Sequence, residues 1–162
     1  MEQISDPSNN RSLLTRRKFL WISSVSTAGL ITGCATNPVT GKKQFMLMSE
    51  QQEISMDKQY APHQFSADYG AAQDHMMNSY VTQVGKKLAA VSHRPKMPYS
   101  FRVVNATYVN AYAFPGGSIA ATRGIMIGMD SEAELAGLLG HEIGHVCARH
   151  TAERYSKTMI LD

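Results

Sequence analysis

Residues Leu138 to His150 read LLGHEIGHVCARH, and the two histidines four positions apart decide how the rest of the chain is read. On an α-helix, residues i and i+4 are separated by about 400°, one turn plus a small offset, so His141 and His145 project from one face, one above the other. Two imidazoles in that arrangement take two corners of a tetrahedral Zn2+ site, at metal–nitrogen distances of about 2.0–2.1 Å. Glu142 lies about 100° round from His141, too far to chelate comfortably but near enough to take the proton of a water held on the metal. The spacing therefore points to metal-assisted peptide hydrolysis, with Glu142 as general base passing its proton on to the leaving amine. Leu138, Leu139 and Ile143 give the helix an apolar face for a core, and Gly140 and Gly144 permit close backbone or metal approach.

Working outward, Asp130-Ser131 can cap this helix, with Glu132 and Glu134 favourably placed in its first turn; the pattern continues it to about Arg154. The stretch before it predicts two strands, Tyr108 to Phe114 and Ser118 to Thr122, joined through Pro115-Gly116-Gly117. Short alternation from Tyr99 to Val104 adds a strand, and Met77, Val81, Val84, Leu88 and Val91 fall at helical spacing between Gln73 and Val91. Ser49-Glu50-Gln51-Gln52 has the form of a capping box, so a further helix starts there, runs towards Tyr60 and is ended by Pro62. There are no internal repeats. The ten methionines are scattered among other apolar residues, as fillers of an irregular core rather than a soft-metal site.

With these elements in place, NAYAFPGGSIAATRGIM followed by ELAGLLGHEIGHVCARH resembles the HtpX-like and CAAX-prenyl-protease-like family of zinc metallopeptidases, and within it the periplasmic lipoproteins of Gram-negative bacteria. The matching strings are Asn110 to Gly117 and His141 to His150, and TNPVTGKKQFMLMSEQQEI also looks like the opening of these domains, so the similarity covers Asn37 to Asp162. The resemblance implies an α+β, zincin-like metallopeptidase domain, with helices and a small sheet or hairpin packed on the zinc helix. It carries His141 and His145 over as zinc ligands, one Zn2+ per subunit, and Glu142 as the base. Asn110, Ala111, Tyr112 and Ala113 correspond to the cleft wall, where a peptide pairs with an exposed strand. In that family the third ligand is a glutamate on a later helix, with an acidic residue a turn further on orienting a ligand histidine.

His150 is about 900° round from His141, on the opposite face of a continuous helix, and Glu153 would lie about 12 Å along the axis from His145. His63, His75 and His93 sit in polar or turn-rich settings as exposed or locally bonded residues, and Cys147 reads as a small buried residue. The expectation is therefore an N-terminal fragment of a longer peptidase whose third ligand lies beyond residue 162; SKTMILD carries no Gly or Pro to stop the helix.

The front of the chain reads as an address. Arg16-Arg17 followed by Lys18-Phe19-Leu20 resembles a twin-arginine export signal, and the modest apolar run from Phe19 to Ile31 suits a signal peptide rather than a membrane span, which needs about 20 apolar residues. Leu30-Ile31-Thr32-Gly33-Cys34 resembles a lipobox, so Cys34 is expected to be acylated and to anchor the protein, rather than to pair with Cys147. Ala35 in the next position points to the outer membrane. The expected organisation is residues 1–33 as signal peptide, 34–48 as lipidated N-terminus and tether with a turn at Val39-Thr40-Gly41, and 49–162 as the N-terminal part of the peptidase domain.

A chain of 162 residues with 43% apolar and 18% charged residues is globular in composition. Its net charge of +3 gathers at Arg11, Arg16, Arg17 and Lys18, so the remainder is near neutral and carries no nucleic-acid footprint. The sequence thus predicts a zinc metalloendopeptidase acting on polypeptides of the cell envelope in protein quality control, periplasm-facing and membrane-anchored through lipid. The alternative is a non-catalytic envelope lipoprotein acting as chaperone or assembly factor, or an inactive fragment lacking its third ligand. Glu142 speaks against the first, because a scaffold needs no carboxylate beside a metal.

Overall fold

Each long helix begins on a side chain that satisfies an otherwise orphaned amide. The computed structural model describes residues 34–161, and over them the elements run β1 (Cys34–Thr36), β2 (Lys43–Phe45), α1 (Glu50–Ala67), α2 (His75–Ala90), β3 (Ser100–Val104), β4 (Ala111–Ala113), β5 (Ser118–Thr122), α3 (Arg123–Ile127), α4 (Glu132–Ala148) and α5 (His150–Leu161). Ser49 opens α1 with the expected capping box: its hydroxyl accepts from the Gln52 amide while the Gln52 side chain accepts from the Ser49 amide. Asp74 and Ser131 cap α2 and α4 one way only, each accepting from the amide three residues on, that of Met77 and of Glu134. The expected signal peptide, residues 1–33, lies outside the described residues.

The three-stranded sheet has the order β3-β5-β4, with β5 parallel to β3 and antiparallel to β4. Alternation along the strands gives it two apolar faces. Phe101, Val103 and Ile119 face a core made with α2 (Val81, Val84) and α4 (Leu135, Leu139, Ile143, Val146, Cys147). Val104 and Ala120 face Ala61 and Phe65 of α1 on the other side. The sheet is thereby held between α1 and the α2–α4 pair, an α+β arrangement with the histidine-bearing helix against it. Gly85 lets α2 approach β3, since a Cβ there would meet the Phe101 ring at 2.5 Å.

Three expectations change. Pro62 does not end α1, which continues to Ala67. A proline inside a helix forfeits one hydrogen bond and costs about 3 kcal/mol, but Ala61 and Phe65, one turn apart, are buried against the sheet and hold the next turn in place. The helix ends instead at Asp68, followed by left-handed Tyr69 (φ 63°) and Gly70 (φ 71°).

The segment expected to be a tether, residues 34–48, is a folded hairpin: β1 and β2 pair antiparallel around the expected turn, where Asn37 Oδ1 accepts from the Val39 and Thr40 amides. Asn37 and Gln44 both donate to the Ala148 carbonyl, and Met46 and Met48 are buried with Ala152. The turn-rich composition misleads because two of its polar side chains, Asn37 and Gln44, are buried and cap a helix rather than face water.

The third change is that α4 does not continue to Arg154. Arg149 adopts φ 60°, ψ 33°, and a new helix starts at His150. A left-handed non-glycine residue costs on the order of 1–2 kcal/mol, and here the cost is offset by side-chain ties. Arg149 donates to Glu53 Oε1 at 3.1 Å and to the Met48 carbonyl at 2.6 Å. Glu53, fully buried, also accepts from Arg94 at 2.7 Å, and Arg94 donates to the Val146 carbonyl at 2.9 Å.

Candidate metal centre

Because α4 is regular through residues 141–145, the spacing argument holds in three dimensions. The Nε2 atoms of His141 and His145 converge to 3.0 Å, with their rings edge-on at a centroid distance of 4.6 Å. Two ligands of a tetrahedral zinc at about 2.05 Å would stand about 3.3 Å apart, so the observed separation lies within a few tenths of an ångström of what such an ion would require. Glu142 is buried, 6% exposed, in the same cleft. Burial pushes its carboxyl above the usual range, opposed by the neighbouring His141. Burial also lowers the His145 imidazole, helped by His141, His150 and Arg154. Both shifts favour neutral groups in the absence of a cation.

The facing wall comes from β4. The Thr122 amide donates to the Asn110 carbonyl and the Phe114 amide to the Ser118 carbonyl, so the even-numbered residues address β5. By alternation the backbone groups of Ala111 and Ala113 point to the free edge. Asn110, Ala111, Tyr112 and Ala113 line one open cleft of about 490 Å³ with His141, Glu142 and His145. All the site residues named from the sequence are thus brought together except Cys34, which is exposed in the hairpin.

Two residues that the sequence did not single out hold this wall. Tyr108 and Tyr112 donate to the two carboxylate oxygens of Asp68, at 2.7 and 2.5 Å. Burial pushes the Asp68 carboxyl up, but bonds from Tyr112, Tyr108 and Gln64 outweigh it and bring it below its ordinary value. The Thr122 hydroxyl, fully buried, is shared between the Tyr108 and Asn110 carbonyls and accepts from the Asn110 amide. No motif announces either role, since each depends on contacts across the fold.

The break at Arg149 corrects the reading of His150. It does not lie on the far face of a continuous helix: its Nδ1 stands 2.8 Å from Nδ1 of His145. Thr151 joins the cleft lining for the same reason. A signal was present in the periodicity: the apolar stripe Leu139, Ile143, Val146 should continue at residue 150, where the sequence has a histidine, and beyond Ala148 the buried positions are Ala152 and Ser156. Gly140 and Gly144 admit no close neighbour, since a Cβ at either would meet nothing within 4 Å.

His63, His75 and His93 are exposed. Cys147 is buried with its Sγ 3.5 Å from Tyr99 Oη, and both cysteines are free. Among the described residues no group of three or more His, Cys, Asp or Glu side chains is placed to hold a metal, so His141 and His145 offer two ligands. No helix among them is long and apolar enough to cross a membrane.

Residues 75–162 match the family described as Peptidase family M48. The chain is similar to the beta-barrel assembly-enhancing protease of Yersinia pestis, 32% identical over 130 residues that cover 80% of this chain and 26% of the relative. It is also similar to the beta-barrel assembly-enhancing protease of Escherichia coli (strain K12), 30% identical over 117 residues, covering 72% of this chain and 24% of the relative. A third relative is the mitochondrial metalloendopeptidase OMA1 of Schizosaccharomyces pombe, 30% identical over 152 residues, covering 88% and 44%. The chain spans about a quarter of the length of the two bacterial relatives.

Proposed function

Because the chain belongs to peptidase family M48, we propose that it is the zinc-dependent endopeptidase domain of an exported lipoprotein, zincin-like in fold and of the HtpX-like and CAAX-prenyl-protease-like branch, cleaving polypeptides of the cell envelope. The observation that carries this reading is the convergence of the His141 and His145 Nε2 atoms, at 3.0 Å, beside the buried Glu142 and the free edge of β4 in one cleft. His141 and His145 are two ligands of one Zn2+ per subunit. A third protein ligand, implied by the family resemblance, is not among the described residues. When bound, zinc acidifies its water and polarises a peptide carbonyl.

The remaining roles belong to the chain. Glu142 takes the proton of the attacking water and delivers it to the leaving amine; its buried setting, which raises its pKa, matches it to a base that must later act as acid. The outward backbone groups of Ala111 and Ala113 hold an extended peptide as an added strand, which suits unfolded or misassembled proteins. Asp68 and Thr122 keep that strand rigid.

Two features support a place at the outer membrane of a Gram-negative bacterium: the twin-arginine and lipobox strings ahead of Cys34, and bacterial relatives named for β-barrel assembly. Cys34 is the acylated residue. Chelation tests the reading: hydrolysis of an unfolded polypeptide by the full-length protein is lost on metal removal and restored by one equivalent of zinc. Hydrolysis that persists in metal-free protein overturns it.

A further inference from the structure

We propose that His150 is a positioning residue for His145, fixing the tautomer and ring orientation in which His145 Nε2 faces the metal, and that the break at Arg149 exists to deliver it there. The inference rests on the metal-site reading above. A neutral imidazole carries one hydrogen. If Nε2 of His145 gives its lone pair to a cation, the hydrogen must sit on Nδ1, and a metal-binding histidine characteristically donates that hydrogen to an acceptor beside it. The atom at that place is Nδ1 of His150, 2.8 Å away. His150 then keeps its own hydrogen on Nε2, and the two rings, inclined at 67° with centroids 5.0 Å apart, are joined by one bond.

Nothing in a regular helix would place residue 150 beside residue 145. The left-handed Arg149 turns the chain, and it is held by Glu53, by the Met48 carbonyl and, through the Ala148 carbonyl, by Asn37 and Gln44 of the hairpin. Because His150 is exposed, its replacement leaves the core intact.

The test uses this chain with zinc affinity as readout, measured by competition with a chromophoric chelator, and thermal unfolding of the metal-free forms as the control for folding. Asparagine is the informative conservative change, because its Oδ1 overlays the Nδ1 of histidine and accepts a hydrogen bond. His150→Ala is expected to weaken zinc binding about 10- to 100-fold with metal-free unfolding unchanged, and His150→Asn to recover most of it with an unaltered Co2+ absorption spectrum. His150→Ala that binds zinc like the wild type overturns the positioning role, as does His150→Asn as weak as His150→Ala. His141→Ala separates the two claims: if it too leaves zinc binding intact, the metal-site reading itself fails, whereas if it alone abolishes binding, only the role of His150 falls.

Discussion

Glu53 Oε1 accepts a hydrogen bond from Arg149 Nε at 3.1 Å across 96 residues of sequence, and Glu53 is fully buried while it does so. With Arg94 on its other oxygen, this one carboxylate joins α1 to the end of α4. Removing it would leave two guanidinium groups short of their counter-charge in a buried site. Glu53→Ala is therefore expected to cost about 3–5 kcal/mol, read as a lower urea midpoint. A loss under about 1 kcal/mol would mean that the break at Arg149 is held by other ties.

Ala111 and Asn110 are neighbours with opposite duties. The Asn110 amide donates to Thr122 Oγ1 inside the fold, whereas the Ala111 amide addresses the free edge. Ala111→Pro removes a bond only to substrate, so kcat/KM for an unfolded polypeptide should fall about 3- to 10-fold, the worth of one hydrogen bond, with stability nearly unchanged. Asn110→Pro should instead lower the unfolding midpoint. Undiminished turnover in Ala111→Pro would exclude strand addition at this edge.

Two glycines predict opposite signs. A Cβ on Gly124 would collide with the Thr107 and Tyr108 carbonyl oxygens, whereas one on Gly137, inside α4, would meet nothing within 4 Å. Gly124→Ala is expected to destabilise by about 1–3 kcal/mol, and Gly137→Ala to stabilise by about 0.5–1 kcal/mol by relieving the glycine cost in a helix. Chemical denaturation of both variants checks the pair.

The Asp68 carboxyl is held below its ordinary value by Tyr112, Tyr108 and Gln64 acting against burial. Such a group contributes stability that is fully present above its unfolded pKa, about 4, and is lost as pH falls through the lower folded value. Wild type should therefore be more stable than Asp68→Asn at pH 7, and their difference should shrink on acidification below about pH 4. Urea unfolding at a series of pH values measures it; a difference that is constant with pH would contradict the assignment.

What the sequence made legible was whatever depends on neighbours a few residues apart. Ser49 and Ser131 announce their helices by bonding three residues on, Pro115-Gly116-Gly117 announces the hairpin, and His141 and His145 share a face because a helix repeats. Tertiary contacts decided the rest. Pro62 looks like a terminator until Ala61 and Phe65 are seen buried on the sheet. Asn37 and Gln44 look like tether residues until they are found capping Ala148. Arg149 has no local reason to turn left-handed; its reasons, Glu53 and Met48, lie about a hundred residues away. His150 was misplaced in consequence, and with it the partner of His145.

The most direct measurement pairs two quantities on one sample, the zinc content and the rate of polypeptide hydrolysis of full-length protein carrying Glu142→Gln. The variant keeps the shape of the buried side chain and both histidines but cannot accept the water's proton. Zinc content equal to wild type with hydrolysis reduced about 10²- to 10⁴-fold is the expected result. Full zinc with hydrolysis within a few-fold of wild type would contradict the account.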